Sequence, residues 1–195
     1  MAILSKLRIF DVCRQGSRVL GPGSRYVIWV QGCLRHCPGC ITPESRPIDG
    51  GVEIAVTDLA ADIILNTSID GITISGGEPM LQAEALAQML QIVHSVRPKL
   101  SVIVYTGETY EKLCTKPQVQ TLLEYVDVLI DGEYIEALND GIGMRGSSNQ
   151  RIIPITHRLD SHLGFMTTGK RRIERVANDA NTYTAIGVPP LNRRK

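Results

Sequence analysis

The stretch RYVIWVQGCLRHCPGC, residues 25 to 40, joins an apolar segment directly to a group of cysteines. Residues 25–32 are rich in β-branched and aromatic side chains, which predicts a buried β-strand. The loop that follows places Cys33, Cys37 and Cys40 within eight positions and supplies no fourth cysteine. Metal and cluster sites built on cysteine usually have four ligands, so the pattern leaves the fourth ligand to be identified.

Apolar segments and helical segments alternate along the chain. The predicted strands lie at 25–32, 70–77, 100–107, 126–132 and 151–155, and the predicted helices at 57–66, 81–96 and 117–125. This alternation predicts an α/β fold with a parallel sheet and right-handed crossovers. Because the carboxyl ends of parallel strands meet at one edge of a sheet, the polar and glycine-rich loops after these strands should converge.

Composition excludes several classes of protein. At 195 residues the chain is long enough for one domain with a sizeable core. A net charge of +1 and 5% aromatic residues argue against binding to nucleic acid or to membranes. No apolar run approaches the ~20 residues that a transmembrane helix requires, and we expect no secretory signal. Five cysteines, three of them in one loop, favour metal or redox chemistry in the cytoplasm over disulfides.

Two kinds of metal site suit three closely spaced cysteines. One is a structural zinc site whose fourth ligand is His36 or a distant residue, although such sites usually contain paired two-cysteine knuckles and the chain has no second knuckle. The other is a [4Fe–4S] cluster held by three thiolates, which leaves one iron open for a substrate or a cofactor. The spacing by itself leaves both interpretations open.

A second motif, SGGEPM at 75–80, follows the next predicted strand. Together with the C-x3-C-x2-C spacing of Cys33, Cys37 and Cys40, it resembles the signature of the radical S-adenosylmethionine superfamily. Two further segments, VYTGETYEKL at 104–113 and VDVLIDGEYIEAL at 126–138, are similar to the activating enzymes of anaerobic (class III) ribonucleotide reductases. The run from Arg145 to Arg151 adds to that similarity, which ends near residue 155.

The resemblance implies a fold and a reaction. Residues 1–155 would form a partial, open β/α barrel with mostly parallel strands, and residues 156–195 a basic C-terminal extension without independent domain status. A reduced [4Fe–4S] cluster would cleave S-adenosyl-L-methionine to methionine and a 5′-deoxyadenosyl radical, which generates a glycyl radical on anaerobic ribonucleotide reductase. A flavodoxin- or ferredoxin-type electron donor and a cytoplasmic location are expected.

The resemblance also assigns site residues. Cys33, Cys37 and Cys40 are expected to ligate the cluster, with no catalytic residue beyond them. The residues expected to bind S-adenosylmethionine are Gly39, Cys40, Ile41, Gly76, Gly77, Glu78, Thr106 and Asp131. Gly39 departs from the superfamily, which often has an aromatic residue before the third cysteine. Asp131 has a plain alternative role, because Asp-Gly is a common turn pair.

Two other functions stay open at this point. A radical S-adenosylmethionine enzyme acting on a small molecule or a peptide should have a pocket closed by the C-terminal extension, whereas an activase should have an open mouth. A non-catalytic, metal-stabilised interaction module is the alternative from a different class. Trp29 is expected in the core. Arg145 and Arg151 are candidates for recognition of the partner's glycine loop or of the ligand carboxylate, or for a plain surface loop.

Overall fold

The structure is a computed structural model that describes residues 5–177 and 183–190. In chain order its strands are β1 (Lys6–Ser17), β2 (Arg25–Val30), β3 (Val52–Ala55), β4 (Gly71–Gly76), β5 (Ser101–Tyr105), β6 (Val128–Asp131), β7 (Arg151–Pro154), β8 (Glu174–Ala177) and β9 (Tyr183–Ile186). Its α-helices are α1 (Val56–Leu65), α2 (Ala83–Val96), α3 (Tyr110–Leu113), α4 (Pro117–Leu123) and α5 (Leu163–Thr168). Residues 178–182 and 191–195 of the predicted extension lie outside the described residues.

Within these ranges, one sheet runs in the order β3-β1-β2-β4-β5-β6-β7, and β8 pairs with β9 in a separate hairpin. The four strands β2, β4, β5 and β6 are parallel to one another. Antiparallel strands flank them, with β1 and β3 on one side and β7 on the other. The strands at the two edges do not meet, so the sheet is not a closed barrel. The predicted α/β class with a parallel core is confirmed.

The parallel strands are buried on both faces, as expected for strands that lie between two layers. One face packs against α1, α2 and α4, and from β2 it presents Tyr26, Ile28 and Val30. The opposite face presents the alternate residues of the same strand, Val27 and Trp29. The near-continuous apolar runs in the sequence reflect this burial on both faces.

The C-terminal extension covers much of the second face. Leu159 and Met166 pack on Ile103 and Val128, while Ile186 and Val188 pack on Val27 and Trp29 in a neighbouring cluster. Residues 156–177 and 183–190 therefore add a layer to the sheet. None of the helices in the described ranges combines the length and the apolar character needed to cross a membrane.

A buried cation joins the amino ends of three parallel strands. Arg25, the first residue of β2, donates to the hydroxyl of Thr73 on β4 and to the hydroxyl of Ser101 on β5, at 3.1 and 2.6 Å. It also donates to the backbone carbonyls of Ile72 and Ser101, at 2.5 and 2.9 Å. All four acceptors are neutral, and burial lowers the pKa of Arg25 to about 10. These bonds fix the end of the sheet opposite the cysteine loop.

Candidate active site

The loops after β2, β4, β5 and β6 line one pocket at the carboxyl edge of the parallel sheet, with a volume of about 230 Å³. Their contributions are Cys33, Cys37, Cys40 and Ile41, then Gly76, Gly77 and Glu78, then Thr106 and Gly107, then Gly132 and Tyr134. The convergence predicted from the parallel topology is therefore confirmed. The site is assembled from segments that are far apart in sequence.

The three cysteines of the loop form one group of unpaired thiols. Burial raises the pKa of the Cys33 thiol, and the nearby Cys40 and Glu78 raise it further. Burial also raises the pKa of Cys37, with added contributions from Glu133, Cys33 and Cys40. Because Cys40 acts on both Cys33 and Cys37, and Cys33 acts on Cys37, the thiols lie close enough to interact electrostatically at the pocket.

This donor set suits a cluster better than a single ion. In the part of the chain that the structure describes, no group of three or more His, Cys, Asp or Glu side chains is arranged to hold one metal ion. A [4Fe–4S] cluster takes its thiolates on separate irons, so its ligands stand further apart than those of zinc. His36, the candidate zinc ligand, is exposed, with Nδ1 3.2 Å from the carbonyl oxygen of Leu34. The geometry of the described residues therefore does not support a site for a single zinc ion.

Gly76 and Gly77 bring the loop after β4 against the base of the cysteine loop. Gly76 has a φ of +101°, and a Cβ there would lie 2.5 Å from the backbone nitrogen of Val30. A Cβ on Gly77 would lie 2.2 Å from the carbonyl oxygen of Gly32. The amides of Gly77 and Glu78 donate to the carbonyls of Val30 and Gly32, both at 2.8 Å. Contact between two loops therefore requires both glycines, whatever ligand they approach.

Glu78 connects the loops after β4 and β5. Its carboxylate is buried, and Oε1 accepts hydrogen bonds from the Thr106 hydroxyl at 2.8 Å and from the Met80 amide at 3.1 Å. Oε2 accepts a bond from the Gly107 amide at 2.9 Å and lies 3.7 Å from Nε of Arg35. The carboxylate thus has protein partners on both oxygens, and its main effect is to position the surrounding loops.

Arg35 is a pocket residue that sequence reasoning missed. Its guanidinium pairs with Glu108 and lies 3.7 Å from Glu78 and 3.9 Å from Glu133. One cation in the cysteine loop thereby contacts acidic residues from the loops after β4, β5 and β6. A signal was present in the sequence, since each of those glutamates closely follows the end of a predicted strand.

The remaining side of the pocket is apolar and includes Phe10, Leu20, Trp29, Tyr105 and Val188. Trp29 was predicted as a core residue, and it packs with Leu20 and Val188 while one surface of it faces the pocket. Strand alternation could have found this, because Trp29 and Val27 point away from the helix-covered face. An apolar wall of this kind excludes water from a reactive site.

Two residues expected to bind S-adenosylmethionine lie outside the pocket lining of the described chain, Gly39 and Asp131. Gly39 has a φ of +69°, and a Cβ there would lie 2.8 Å from the carboxylate of Glu136. Asp131 is buried and accepts hydrogen bonds from the Tyr110 amide at 2.7 Å and from Nε of Arg151 at 3.0 Å. Asp131 therefore links the end of β6 to α3 and β7.

The two arginines that flank the polar run at 145–151 have partners within the protein. Arg145 pairs with Asp140 at 2.7 Å. Arg151 pairs with Glu111 at 2.8 Å as well as with Asp131, and these two carboxylates raise its pKa. The same interaction with Arg151 lowers the pKa of Glu111 to about 2. Both arginines stabilise local structure beside the site.

Comparison with known proteins agrees with this geometry. Residues 19–153 match the model of a family described as a 4Fe-4S single cluster domain. The anaerobic ribonucleoside-triphosphate reductase-activating protein of Vibrio cholerae serotype O1 is 35% identical, over 69% of this chain and 90% of its own length. The protein of the same name from Escherichia coli K12 is 33% identical, over 72% of this chain and 92% of its own.

A more distant similarity connects the chain to a second activating enzyme. The pyruvate formate-lyase 1-activating enzyme of Escherichia coli K12 is 29% identical, over 82% of this chain and 64% of its own length. The cysteine loop and the Gly76–Glu78 loop both lie within the residues matched by the family model. This chain belongs to the 4Fe-4S single cluster domain family and, through it, to the radical S-adenosylmethionine superfamily of iron–sulfur proteins.

Proposed function

We propose that this chain is an activase that generates a glycyl radical on anaerobic ribonucleotide reductase. One observation carries the proposal: three unpaired thiols and the Gly76–Glu78 loop line one pocket, in a chain 33–35% identical to proteins named for activating that reductase. When bound, a reduced cluster would supply the one electron needed to cleave S-adenosylmethionine to methionine and a 5′-deoxyadenosyl radical, and that radical would take a hydrogen atom from the target glycine.

The residues of the pocket have different proposed roles in binding the cluster and S-adenosylmethionine. Cys33, Cys37 and Cys40 would hold three irons of a [4Fe–4S] cluster and leave the fourth for S-adenosylmethionine. The backbone of Gly76 and Gly77 would lie beside the bound cofactor. Further contacts are proposed from Ile41, Glu78 and Thr106, which line the same pocket.

Gly39 and Asp131 contribute indirectly in this proposal. The left-handed backbone at Gly39 sets the turn that leads into Cys40. Asp131 holds the end of β6 against the Tyr110 amide and Arg151. Each therefore positions a loop of the pocket, and neither is assigned a contact with S-adenosylmethionine.

We further propose that the sheet is an open, partial β/α barrel formed within residues 1–155. Support comes from the parallel strands β2, β4, β5 and β6, from the helices on one face, and from the site at the carboxyl ends of the strands. An open barrel suits an activase because a loop of another protein must reach the cofactor. The extension at 156–195 is proposed to be an appendage of this domain.

The proposed partners are the glycyl radical enzyme and a flavodoxin- or ferredoxin-type electron donor. The exposed apolar side chains of the cysteine loop support protein docking there, since Leu34 is 70% exposed and Ile41 is 49% exposed. A cytoplasmic location fits as well, because all five cysteines are free thiols and the cytoplasm keeps thiols reduced.

One observation favours a second function. Thr184, Ala185, Gly187 and Val188 of the C-terminal extension line the same pocket as the cysteines. Closure by the extension is the feature expected of a radical S-adenosylmethionine enzyme that acts on a small molecule or a peptide. This second candidate shares the cofactor chemistry and differs only in what receives the radical.

Electron paramagnetic resonance under anaerobic conditions tests the first function directly. The sample contains cluster-loaded protein, a reductant, S-adenosylmethionine and the anaerobic ribonucleotide reductase of the same organism. A glycyl-radical doublet on the reductase is expected. Formation of 5′-deoxyadenosine without the doublet would favour the second candidate, and the absence of both from protein with a full cluster would contradict radical chemistry altogether.

A further inference from the structure

The pocket has a wall that comes from outside the family match. The match ends at residue 153, whereas Thr184, Ala185, Gly187 and Val188 lie on β9 and the two residues after it. We refer to residues 183–188 as the C-terminal wall. The cysteine loop and the Gly76–Glu78 loop belong to the matched part, so the pocket combines residues inside the family match with a wall outside it.

Buried side chains fix the C-terminal wall to the sheet. Ile186 and Val188 are buried and pack with Leu20, Val27 and Trp29 on the face away from the helices. Trp29 and Leu20 also line the pocket, so the wall continues its apolar side. The contact is therefore part of the packed core, and the wall is a fixed surface.

The hairpin that carries the wall is tied to β1 through Glu174. Its carboxylate accepts a hydrogen bond of 2.7 Å from the Ser17 hydroxyl and bonds of 3.1 and 3.2 Å from the Arg18 amide. Ser17 is buried and Arg18 is exposed, so this attachment lies at the edge of the core. Glu174 thereby sets the position of β8, and through β8 that of β9.

Arg171 provides a second attachment. Its nearly buried guanidinium donates to the carbonyls of Arg145 at 2.5 Å and Pro189 at 3.2 Å, and to the side chain of Asn139 at 2.7 Å. One side chain thus joins the residue that follows the wall to the loop before β7. Gly187, with a φ of +124°, makes the turn into Val188. A Cβ on Gly187 would lie 2.4 Å from the carbonyl oxygen of Arg172.

We propose that the C-terminal wall is a specificity element, which forms the surface that the segment receiving the radical must contact. This inference rests on the proposed function. The polar side of the pocket, with the three thiols and the two glycines, would be taken by the cofactors. The target would then meet the apolar side, formed by Trp29, Val188 and the rest of the wall, so the shape of the wall decides which segment can approach.

The test uses two leucine substitutions on the same hairpin. Ala185→Leu adds three heavy atoms to the wall, while Ala177→Leu places them on β8, at an exposed position outside the pocket lining. For Ala185→Leu we expect unchanged iron and sulfide content, because the cluster ligands lie in the cysteine loop, and the radical yield is expressed per 5′-deoxyadenosine formed. The yield of glycyl radical per 5′-deoxyadenosine should fall about tenfold or more, because small misplacements of a reacting atom cost large factors in rate. Ala177→Leu should match the parent. Equal radical yields for the two variants would overturn the proposal.

A second measurement separates this inference from the proposed function. Hydrogen exchange of the peptide covering 183–190 is compared in cluster-loaded protein that holds S-adenosylmethionine, with and without the reductase. Slower exchange with the reductase supports a wall that faces the target, even if the reductase acquires no radical and the activase function fails. Unchanged exchange, with the reductase shown to be bound, overturns the proposed role of the wall even if the glycyl radical forms.

Discussion

The hydroxyl of Thr106 donates a 2.8 Å hydrogen bond to the buried carboxylate of Glu78, so the end of β5 fixes the loop that follows β4. The other carboxylate oxygen accepts the Gly107 amide at 2.9 Å. Both loops line the pocket with the cysteines. The protein thus arranges the site through its own contacts, which is the kind of preorganisation that precise chemistry requires.

Replacing Glu78 by glutamine should lower the free energy of unfolding by about 1–3 kcal/mol, because an amide NH₂ would then face a backbone N–H in a buried site. Thr106→Val should cost about 1–2 kcal/mol, because it removes the bond to Glu78 and the bond that the hydroxyl accepts from the Glu108 amide at 3.1 Å. Denaturant unfolding of the cluster-free protein measures both. A double-mutant cycle should give a coupling of at least about 0.5 kcal/mol, and strictly additive effects would contradict the link. Glu84→Gln, exposed on α2, is the control.

Cys40→Ala should remove a cluster ligand without unfolding the chain. After anaerobic reconstitution, iron content should fall well below the about four atoms expected per [4Fe–4S] cluster, and cleavage of S-adenosylmethionine should be lost. Cys114→Ala is the matched control, since Cys114 is an exposed free thiol far along the chain from the loop. The far-ultraviolet circular dichroism of both variants should equal that of the parent. Full iron content in Cys40→Ala would contradict the ligand assignment.

Gly77→Ala should displace the cysteine loop. The new Cβ would meet the backbone oxygen of Gly32 at 2.2 Å, and a backbone atom cannot move aside as a side chain can. We expect a loss of about 1–3 kcal/mol in unfolding free energy, together with reduced cluster loading. Gly164→Ala is the control, because a Cβ there meets nothing within 4 Å and alanine favours the helix. Equal stability of the two variants would contradict the proposed loop contact.

His94 should make stability depend on pH. Its half-buried imidazole contacts the Leu100 carbonyl at 3.0 Å, and burial lowers its pKa from the ordinary 6.5. The unfolded chain therefore binds the proton more readily than the folded chain, so the contribution is complete above about pH 6.5 and is lost as the pH falls through the lower, folded-state pKa. His94→Gln should flatten the stability profile in that range, measured by thermal or denaturant unfolding. A His94→Gln variant whose profile still follows that of the parent would contradict this role.

The parallel core was predictable because its strands have a simple pattern. Residues 71–76, 101–105 and 128–131 are short, apolar and bounded by polar or glycine-rich loops, and the structure places strands there. Strand β1 was missed although it is long. Register shifts between Ile9 and Asp11 and between Cys13 and Ser17 interrupt its alternation, so its buried residues do not follow a steady period of two.

The site was predictable where one local motif contains the chemistry. The three cysteines and the two glycines are contiguous motifs, and the structure brings them to one pocket. Arg35 and the C-terminal wall were missed because their roles depend on partners far away in sequence. The hydrophobic pattern of the hairpin is also a weak predictor of strands, because Ile186 is buried whereas much of β8 and β9 is partly or fully exposed.

The guanidinium of Arg25 makes one end of the sheet more resistant to local opening than the other. Its bonds to Thr73, Ile72 and Ser101 join β2, β4 and β5 within the buried core, whereas the cysteine loop at the other end is partly exposed. Amide protons near Arg25 should therefore exchange only through global unfolding, and those of the cysteine loop through smaller local openings. We expect the site end of the sheet to open for a partner at a lower free-energy cost than the Arg25 end.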